Sequence, residues 1–592
     1  MTGLTNLKTA EGREVAFLLG PAVVLLGFAF FIPLLGLLSM SFLNPEPTIV
    51  HYQEFLSNWA NWVILGRTFV LATVVTGICL VLGYPFAYLI ISARPWIAAL
   101  LLFAVVVPFF TSYLVRTYAW MVLLGRFGLI NQLLMAVGLT ERPLNLIYNQ
   151  FSVFIAMIYI LLPYTVMILA SVMRGIPHSL LRASSSLGAP GAQTFWRIFF
   201  PLSAPGVVAA GLLVFVFALG FYITPALLGG PGDTTLPMLI DSHVNGSLNW
   251  PLAAAAATVL LVITLALYTL SNRLVGTEDL LGSQAGAAKR VAKKARSTNT
   301  YIHFIDAVTK VMRLAGRLVP RVLSALWQHL HVSRILISGT GVLVTIFLLS
   351  PILIIVPISF SSSRFLDFPP PGFSLQWYEA YFTSSSWVSA TVQSIVVGIG
   401  TAFVSLTIGT AAAMALVRGS ARLRRIGYQL LLAPMIVPTI VSSVALYFLF
   451  ADLRLVNTSL GLVLAHSIGA TPLVALIAAS SLQSQDRRLE QAAASLGASR
   501  PTAIRLIVLP LIRPTLIVAG FFAFLHSFDE VVLSLFISGA NTTTLPVKMW
   551  SGVREDITPT IAAVSSILIG LTVLFYLTME IARHRKARAK KA

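Results

Sequence analysis

The chain has 592 residues, of which 57% are hydrophobic and only 10% are charged. This composition excludes a soluble multidomain enzyme, because too few residues could face water. The 40 Lys and Arg against 20 Asp and Glu give a net charge of +20, but the basic residues lie in short runs between long apolar stretches, which indicates membrane orientation and no nucleic-acid ligand. The single cysteine, Cys79, can build neither a disulfide nor a cysteine metal site within the chain.

Twelve apolar stretches are long enough to cross about 30 Å of hydrocarbon, for which about 20 helical residues suffice. Because backbone groups in lipid must be paired internally and these stretches are too long for barrel strands, the sequence predicts an all-α integral membrane bundle. The predicted spans are Ala22–Leu38, Val63–Ile91, Ile97–Leu124, Val153–Met173, Val207–Leu228, Leu252–Leu270, Ile335–Ile358, Val388–Val417, Ile426–Phe450, Leu462–Leu482, Leu516–Ile537 and Ile561–Ile581.

A basic and amphipathic stretch separates the two sets of six spans. The sequence therefore predicts a first membrane repeat over residues 1–276, a cytoplasmic linker over 277–334 and a second membrane repeat over 335–592. The basic run of the linker, which begins at Lys289, is interpreted as a solvated segment near anionic lipid headgroups.

Basic residues of the short loops alternate onto one face, which predicts that this face is cytoplasmic and that both termini lie there. The opposite loops mostly carry acids, among them Glu54 and Asp241, with Arg126 and Arg142 as mild exceptions. The basic loop residues are Arg94, Arg174, Arg182, Arg197, Arg418, Arg422, Arg424, Arg425, Arg487, Arg488, Arg500, Arg505 and Arg513.

The two halves are copies of one another. At one constant displacement Gly188 pairs with Gly497, and the same register continues to Thr234-Thr-Leu-Pro237 and Thr543-Thr-Leu-Pro546. Because each copy has an even number of spans, both copies start on the same side of the membrane and are parallel. Parallel repeats pack about a pseudo-twofold axis along the membrane normal, which places a shared cavity on that axis.

One loop is repeated with the same pattern in both halves: a short helix of small residues, a glycine suited to a left-handed helix cap, and a second helix closed by prolines where the next span begins. We call these loops the first knob (around Gly188) and the second knob (around Gly497), and expect each to protrude as a rigid docking element. Their candidate docking residues are Ala183, Ser186, Gly188 and Pro201, and Glu490, Ala492, Ala493, Gly497 and Pro510.

The pattern Glu-Ala-Ala, then Gly, then an apolar Leu-Pro resembles the EAA loop of ABC importer permeases. The second knob, from Glu490 through Gly497 to Leu509-Pro510, is close to this pattern, whereas the first knob has Leu181 in place of the acid. The chain outside the linker resembles two type I (MetI-like) permease subunits fused into one polypeptide, each a six-helix repeat.

The resemblance implies a binding-protein-dependent importer in a bacterial inner membrane. Two copies of a cytoplasmic ABC ATPase, which bind ATP and Mg, would dock on the two knobs, and a periplasmic or extracellular solute-binding protein would dock on the outer loops. This chain would be the permease and not an enzyme. ATPase closure would draw the knobs together, so that an axial site alternately faces each side.

Two further stretches resemble those of spermidine/putrescine importers. Phe110 to Trp120 with Gly220 to Gly230 is similar to the first permease of such systems, and Ser527 to Val532 with Thr542 to Trp550 is similar to the second. The resemblance implies a polyamine-like cation as the substrate. It leaves open other small solutes, such as amino-acid derivatives, and ferric iron.

Asp529 and Glu530 lie inside the eleventh predicted span, where an ionised group costs roughly 2.5–3.5 kcal/mol. Arg116 is a comparable base in the third span. Two interpretations are open: an acid faces the pathway and stabilises a passing cation, or it forms a structural salt bridge with Arg116. Aromatic residues that could surround an organic cation, or pack in the bundle, are Tyr113, Trp120 and Tyr222.

The sequence contains no phosphate-binding loop of the form Gly-x-x-x-x-Gly-Lys-Ser/Thr, so the energy for transport would come from another subunit. No cluster of His, Cys and carboxylates has metal-ligand spacing, and nothing resembles a nucleophile beside its base. A proton-coupled secondary transporter, with Asp529 or Glu530 as the proton carrier, is the alternative mechanism.

Overall fold

The structure, a computed structural model, describes residues 15–43, 46–275, 330–486, 488–555 and 558–589. The predicted linker 277–334 lies outside these residues except for its end, where a helix begins at Leu330. The described residues are predominantly helical, and they include one isolated bridge between Ser361 and Phe373. The predicted all-α class is confirmed.

Each predicted span corresponds to a helical segment, which we number 1 to 12 in chain order. The segments are Val15–Leu43, Trp59–Ser92, Pro95–Phe110 with Tyr113–Leu124, Gln150–Arg174, Phe195–Leu219, Trp250–Val275, Leu330–Ser359, Ser385–Arg418, Ala421–Ile436 with Thr439–Asp452, Ser459–Gln483, Arg500–Asp529 and Pro559–Ala589. Shorter helices include Val50–Ser57, Leu129–Ala136, His178–Ser186, Ile223–Leu228, Leu236–Asp241, Gln376–Thr383, Arg488–Ser495, Val532–Ile537 and Leu545–Glu555.

Ten helices of the described part are long and apolar enough to cross a membrane, or eleven if the bent pair of segment 9 counts as one span. The apolar part of segment 12 is shorter and covers Pro559–Phe575. The protein is therefore a multi-pass membrane protein.

Four spans that the sequence predicts as continuous are broken. Segments 3 and 9 each consist of two helices, and the two halves of segment 9 meet at 97°. Segments 5 and 11 end at Leu219 and Asp529, and a short helix follows each of them after a gap. The prediction of continuous helices was wrong here because hydropathy stays high across a break. In segment 9, Pro438 additionally favours the extended backbone of Val437 (φ −72°, ψ 128°).

The helix bounds confirm the duplication. Val50–Ser57 and Trp59–Ser92 correspond at one displacement to Gln376–Thr383 and Ser385–Arg418, residue for residue at both ends. From segment 4 onward the equivalent positions are related by a smaller constant difference in residue number, because the first repeat has additional residues between Asn131 and Asn149.

A buried hydrogen bond is also duplicated. The backbone N–H of Leu236 donates to the Thr68 hydroxyl at 2.9 Å, and at the equivalent positions Leu545 donates to Ser394 at 2.7 Å. Each bond pairs the first N–H group of a helix that begins inside the bundle, where water does not satisfy it.

The first segment of each repeat packs against the other repeat. Segment 1 contacts Thr439–Asp452 of segment 9, and segment 7 contacts segments 2 and 3. Segments 2, 4 and 5 form the centre of the first repeat, and segments 8, 10 and 11 form that of the second. The first segments therefore bridge the two repeats, because segment 1 also contacts segment 6 and segment 7 also contacts segment 12 of its own repeat.

We expect Thr68→Val to lower the free energy of unfolding by about 1–3 kcal/mol, because it leaves the buried N–H of Leu236 without an acceptor. The control is Thr73→Val in the same helix, whose exposed hydroxyl bonds only to the Phe69 carbonyl. Thermal unfolding of the purified chain in detergent measures both variants. Equal Tm values for the two would contradict the assigned role of Thr68.

Candidate functional site: the paired knobs and the axial helix breaks

The two knobs have the same backbone fold. The first knob runs from the helix His178–Ser186 through Gly188 to Pro201, and the second from Arg488–Ser495 through Gly497 to Pro510. The glycines have φ +77° and +82°, the left-handed conformation that the sequence predicts for them.

In each knob two backbone bonds close a Schellman cap. Gly188 donates to the Ser185 carbonyl at 3.0 Å and Ala189 to the Ser184 carbonyl at 3.1 Å. In the second knob Gly497 donates to the Ala494 carbonyl and Ala498 donates to the Ala493 carbonyl, each at 3.0 Å. The chain direction after each short helix is therefore fixed by the cap.

The predicted second helix of each knob is not a separate element, which corrects that prediction. A π-turn, Phe195–Phe199 in the first copy and Ile504–Val508 in the second, joins the knob to the following helix without a break. Pro201 and Pro510 lie just inside that helix, where the π-turn accommodates the backbone bond that a proline cannot donate.

The tip of each knob presents a leucine that sequence reasoning did not single out. Leu187 is 88% exposed and its counterpart Leu496 is 89% exposed. A second equivalent pair, Leu180 and Leu489, is about half exposed on the same short helices. The chain therefore carries two matched apolar tips that are exposed to solvent. Their equivalence in the repeat is the signal that would have identified them.

Glu490 pairs with Arg418, the last residue of segment 8, at 2.8 Å. In the first repeat the two equivalent positions are Leu181 and Ser92, so both partners of the ion pair are replaced. Leu181 instead packs against the first repeat's hydrophobic core. The second knob is thus fixed to its bundle by charge and the first by apolar packing.

The four helix breaks meet in pairs at the junction of the two repeats. A Cβ atom at Gly220, in the break after segment 5, would lie 2.7 Å from the Cβ of Pro438, in the break of segment 9. The position therefore requires glycine, and the two repeats touch there through backbone and a proline ring. No charge takes part in this contact.

The symmetry-related contact is polar. Asp529, the counterpart of Gly220, accepts a hydrogen bond through Oδ1 from the backbone N–H of Tyr113 at 3.0 Å. Tyr113 is the first residue of the second helix of segment 3, and no side chain of the preceding residue caps that helix. Asp529 is therefore a helix cap supplied by the opposite repeat, in the place where a negative charge is favoured.

Glu530 caps a second helix start. Its Oε1 accepts from the N–H of Leu533 at 3.1 Å, and its carbonyl accepts from the Ser534 hydroxyl at 2.9 Å. His466, which is fully buried and was not a sequence candidate, bonds to Ser534 at 3.0 Å and to Ser527 at 2.8 Å. Both acids thus have structural partners, yet both side chains stay partly exposed.

Arg116 does not form the salt bridge that the sequence left open. It is 1% exposed, its Nη1 donates to the Ile160 carbonyl at 3.4 Å, and its guanidinium lies over the Tyr113 ring at 4.5 Å. In the part of the chain that the structure describes, no ion pair joins it to Asp529 or Glu530, and its Nε has no hydrogen-bond partner.

The predicted aromatic residues occupy three different surroundings. Tyr113 bonds through its hydroxyl to that of Tyr164 at 2.5 Å beside the acids. Trp120 packs on Tyr159 and Phe347, in a contact between repeats. Tyr222 lies at the break after segment 5 and contacts Asp241 and Trp550.

The model of one protein family, described as the binding-protein-dependent transport system inner membrane component, matches this chain twice, over residues 80–276 and 405–587. The chain belongs to this family. It is an ABC importer permease with two repeats in one polypeptide, as the sequence resemblance implied.

Curated relatives of this permease each align with less than half of its length. The spermidine/putrescine transport system permease protein PotB of Haemophilus influenzae is 33% identical over 258 residues, which are 42% of this chain and 90% of that protein. PotB of Escherichia coli is 33% identical over 272 residues, 45% of this chain and 97% of that protein. PotC of Haemophilus influenzae is 34% identical over 230 residues, 38% of this chain and 88% of that protein.

A solved bacterial ABC transporter involved in import of the acidic polysaccharide alginate is also similar. It covers 42% of this permease and 96% of its own chain, at 17% identity and a TM-score of 0.34.

Because Asp529 caps a helix of the opposite repeat, two substitutions of this residue should differ in their effect on stability. We expect Asp529→Ala to lower the free energy of unfolding by about 0.5–2 kcal/mol, as for loss of a helix cap. Asp529→Asn keeps an acceptor oxygen, so its free energy of unfolding should stay within about 0.5 kcal/mol of the parent value. Denaturation of the purified permease compares them. An equal loss in both variants would show that the charge, and not the cap, stabilises the junction.

Proposed function

We propose that this permease imports a polyamine-like organic cation by ATP-driven alternating access. Asp529 contributes negative charge to the axial pathway, and the two knobs receive two copies of an ABC ATPase, which bind ATP and Mg. A solute-binding protein delivers the cation on the opposite face. In this proposal the knobs and both termini are cytoplasmic. The two repeats are residues 1–276 and 335–592, and residues 277–334 form the linker between them.

The observation that carries the proposal is the unequal pair of contacts at the helix breaks. One contact is Gly220 against Pro438 and the other is Asp529 against the N–H of Tyr113. Rocking of the repeats separates both, and only the second releases a carboxylate. A hydrogen bond to a charged group contributes about 1.5–3 kcal/mol, so a cationic solute that binds the released carboxylate offsets this loss.

The relatives support the substrate class. Two of the relatives, PotB and PotC, have names that give spermidine and putrescine as cargo, at 33% and 34% identity. Glu530, beside Asp529, adds a second partly exposed carboxylate. The Arg116 guanidinium lies over the Tyr113 ring and acts on Asp529 without an ion pair in the described residues. Two carboxylates against one guanidinium leave a net negative charge, which an ammonium group of the solute fits.

The knobs support the coupling role. Their matched caps make them rigid, and their matched exposed leucines would be covered by a partner with two equivalent clefts. Candidate contact residues are Leu187 and Leu496, with Ala183, Ser186, Gly188, Pro201, Glu490, Ala492, Ala493, Gly497 and Pro510 forming the helices and turns that present them.

We expect Leu187→Asp and Leu496→Asp to reduce nucleotide-dependent uptake about tenfold or more, because a charge at the centre of an apolar docking surface is left without a partner. The control is Leu139→Asp, an exposed leucine on the face opposite the knobs, for which co-purification of the ATPase should stay at the parent level. Co-purification of the ATPase and its hydrolysis rate in reconstituted vesicles measure the effect. Full uptake by both knob variants would contradict the docking assignment.

We expect Asp529→Asn to raise the KM for putrescine uptake at least about tenfold while the permease stays folded, since it removes the charge and keeps the helix cap. Glu530→Gln makes the same change at the neighbouring residue. Because Glu530 caps a helix of its own repeat and not of the opposite one, this substitution should raise the KM less.

Uptake of labelled putrescine into vesicles that contain the complete complex measures both substitutions. Parent-like uptake by Asp529→Asn would overturn the pathway assignment. Uptake of an amino-acid derivative or ferric iron but not of putrescine would overturn the substrate class. Uptake that follows a pH gradient with no ATPase present would overturn the mechanism.

A further inference from the structure

A second group of residues at the junction of the repeats combines one carboxylate with two aromatic rings. The Tyr222 hydroxyl donates to Asp241 Oδ2 at 2.9 Å, and the Tyr222 ring lies 5.6 Å from that of Trp550 at an interplanar angle of 33°. Tyr222 and Asp241 belong to the first repeat and Trp550 to the second. We call these three residues the outer seat.

The outer seat lies beside the pseudo-twofold axis. Asp241 and Trp550 are counterparts, since each is the sixth residue of its repeat's helix, Leu236–Asp241 or Leu545–Glu555. Both contact the same side chain, Tyr222. Symmetry-related residues approach one another this closely only near the axis that relates them, so a solute on the axis passes between them.

The seat is far from the knobs along the axis. Segment 5 follows the first knob and has 25 residues, which as a helix extend roughly 37 Å, and Tyr222 comes just after its end. The seat is therefore at the level of the axial helix breaks, at the end of segment 5 remote from the first knob, and a solute that enters from the face opposite the knobs would reach it.

A cation already occupies part of this group. The guanidinium of Arg554, one turn after Trp550 on the same helix, lies over the Trp550 ring at 5.6 Å. Its side chain is exposed, whereas Tyr222 and Trp550 are each 5% exposed. Asp241 forms no ion pair within the described residues. Its oxygens accept hydrogen bonds from two neutral donors, Tyr222 and Asn245, the latter at 2.7 Å, so its negative charge is not neutralised.

We propose that the outer seat is a binding site for a primary ammonium group of the solute, and that Arg554 is a tethered cation that competes for it. The inference rests on the proposed function only for the direction of passage. Asp241 supplies the charge, while the ring faces of Tyr222 and Trp550 attract the cation. When Arg554 swings outward, the seat has one net negative charge and accepts an ammonium group.

Binding to the full-length chain in lipid nanodiscs, measured by titration calorimetry with putrescine, tests the seat. Arg554→Gln removes the competitor and should tighten binding about two- to fivefold, the range of one exposed cation–aromatic contact. Asp241→Asn should weaken binding about tenfold. Uncharged 1,4-butanediol should not bind.

Lys548→Gln is the matched control. Lys548 lies on the same helix and also places its cation over an indole ring, that of Trp387 at 5.7 Å, but within one repeat. Its removal should leave putrescine binding unchanged. Equal affinities for Arg554→Gln and the parent chain, or for Asp241→Asn and the parent chain, would overturn the proposal, as would equal binding of butanediol.

Uptake by the complete complex separates this proposal from the proposed function. If the nanodisc affinities follow the expected order and the complex imports no diamine, the outer seat stands and the proposed substrate fails. If the complex imports putrescine and Arg554→Gln and Asp241→Asn both leave its affinity and KM unchanged, the proposed function stands and the outer seat fails.

Discussion

The structure depends on the need to pair every backbone N–H that begins a helix inside the bundle. A continuous spanning helix satisfies its own groups, but each of the breaks in segments 3, 5, 9 and 11 creates a new helix start in an apolar environment. At the break in segment 3 the cap is Asp529 from the opposite repeat. Two further helices that begin inside the bundle, at Leu236 and Leu545, are paired by Thr68 and Ser394 of the same repeat.

This requirement makes a contact between the two repeats part of the stability of the permease. The Asp529 cap holds one repeat against the other, and the equivalent contact on the other side of the axis is only Gly220 against Pro438. A fused chain can keep such an asymmetry, because its two halves always meet each other. Under the proposed function, the charge that stabilises this junction is also the charge that a cationic solute would meet when the junction opens.

The knobs show the opposite tendency, because the duplication has kept them alike. Their glycine caps, π-turns and exposed tip leucines match position for position, although the ion pair Arg418–Glu490 has no equivalent at Ser92 and Leu181. The proposed ATPase docking would constrain the outer shape of both knobs. The attachment of each knob to its own bundle is constrained only by packing, so charge in one copy and apolar contact in the other are both sufficient.

The sequence by itself determined the helical membrane class, the twelve segments, the tandem duplication and the left-handed glycines of the knobs, because apolar runs and repeated motifs are local properties of the chain. It could not determine the four breaks, since hydropathy stays high across them. It also left Asp529 between a pathway role and an ion pair with Arg116. Only the tertiary structure decided that Asp529 caps Tyr113–Leu124 and that Trp550 lies beside Tyr222, because these contacts join residues of opposite repeats that helix packing alone brings together.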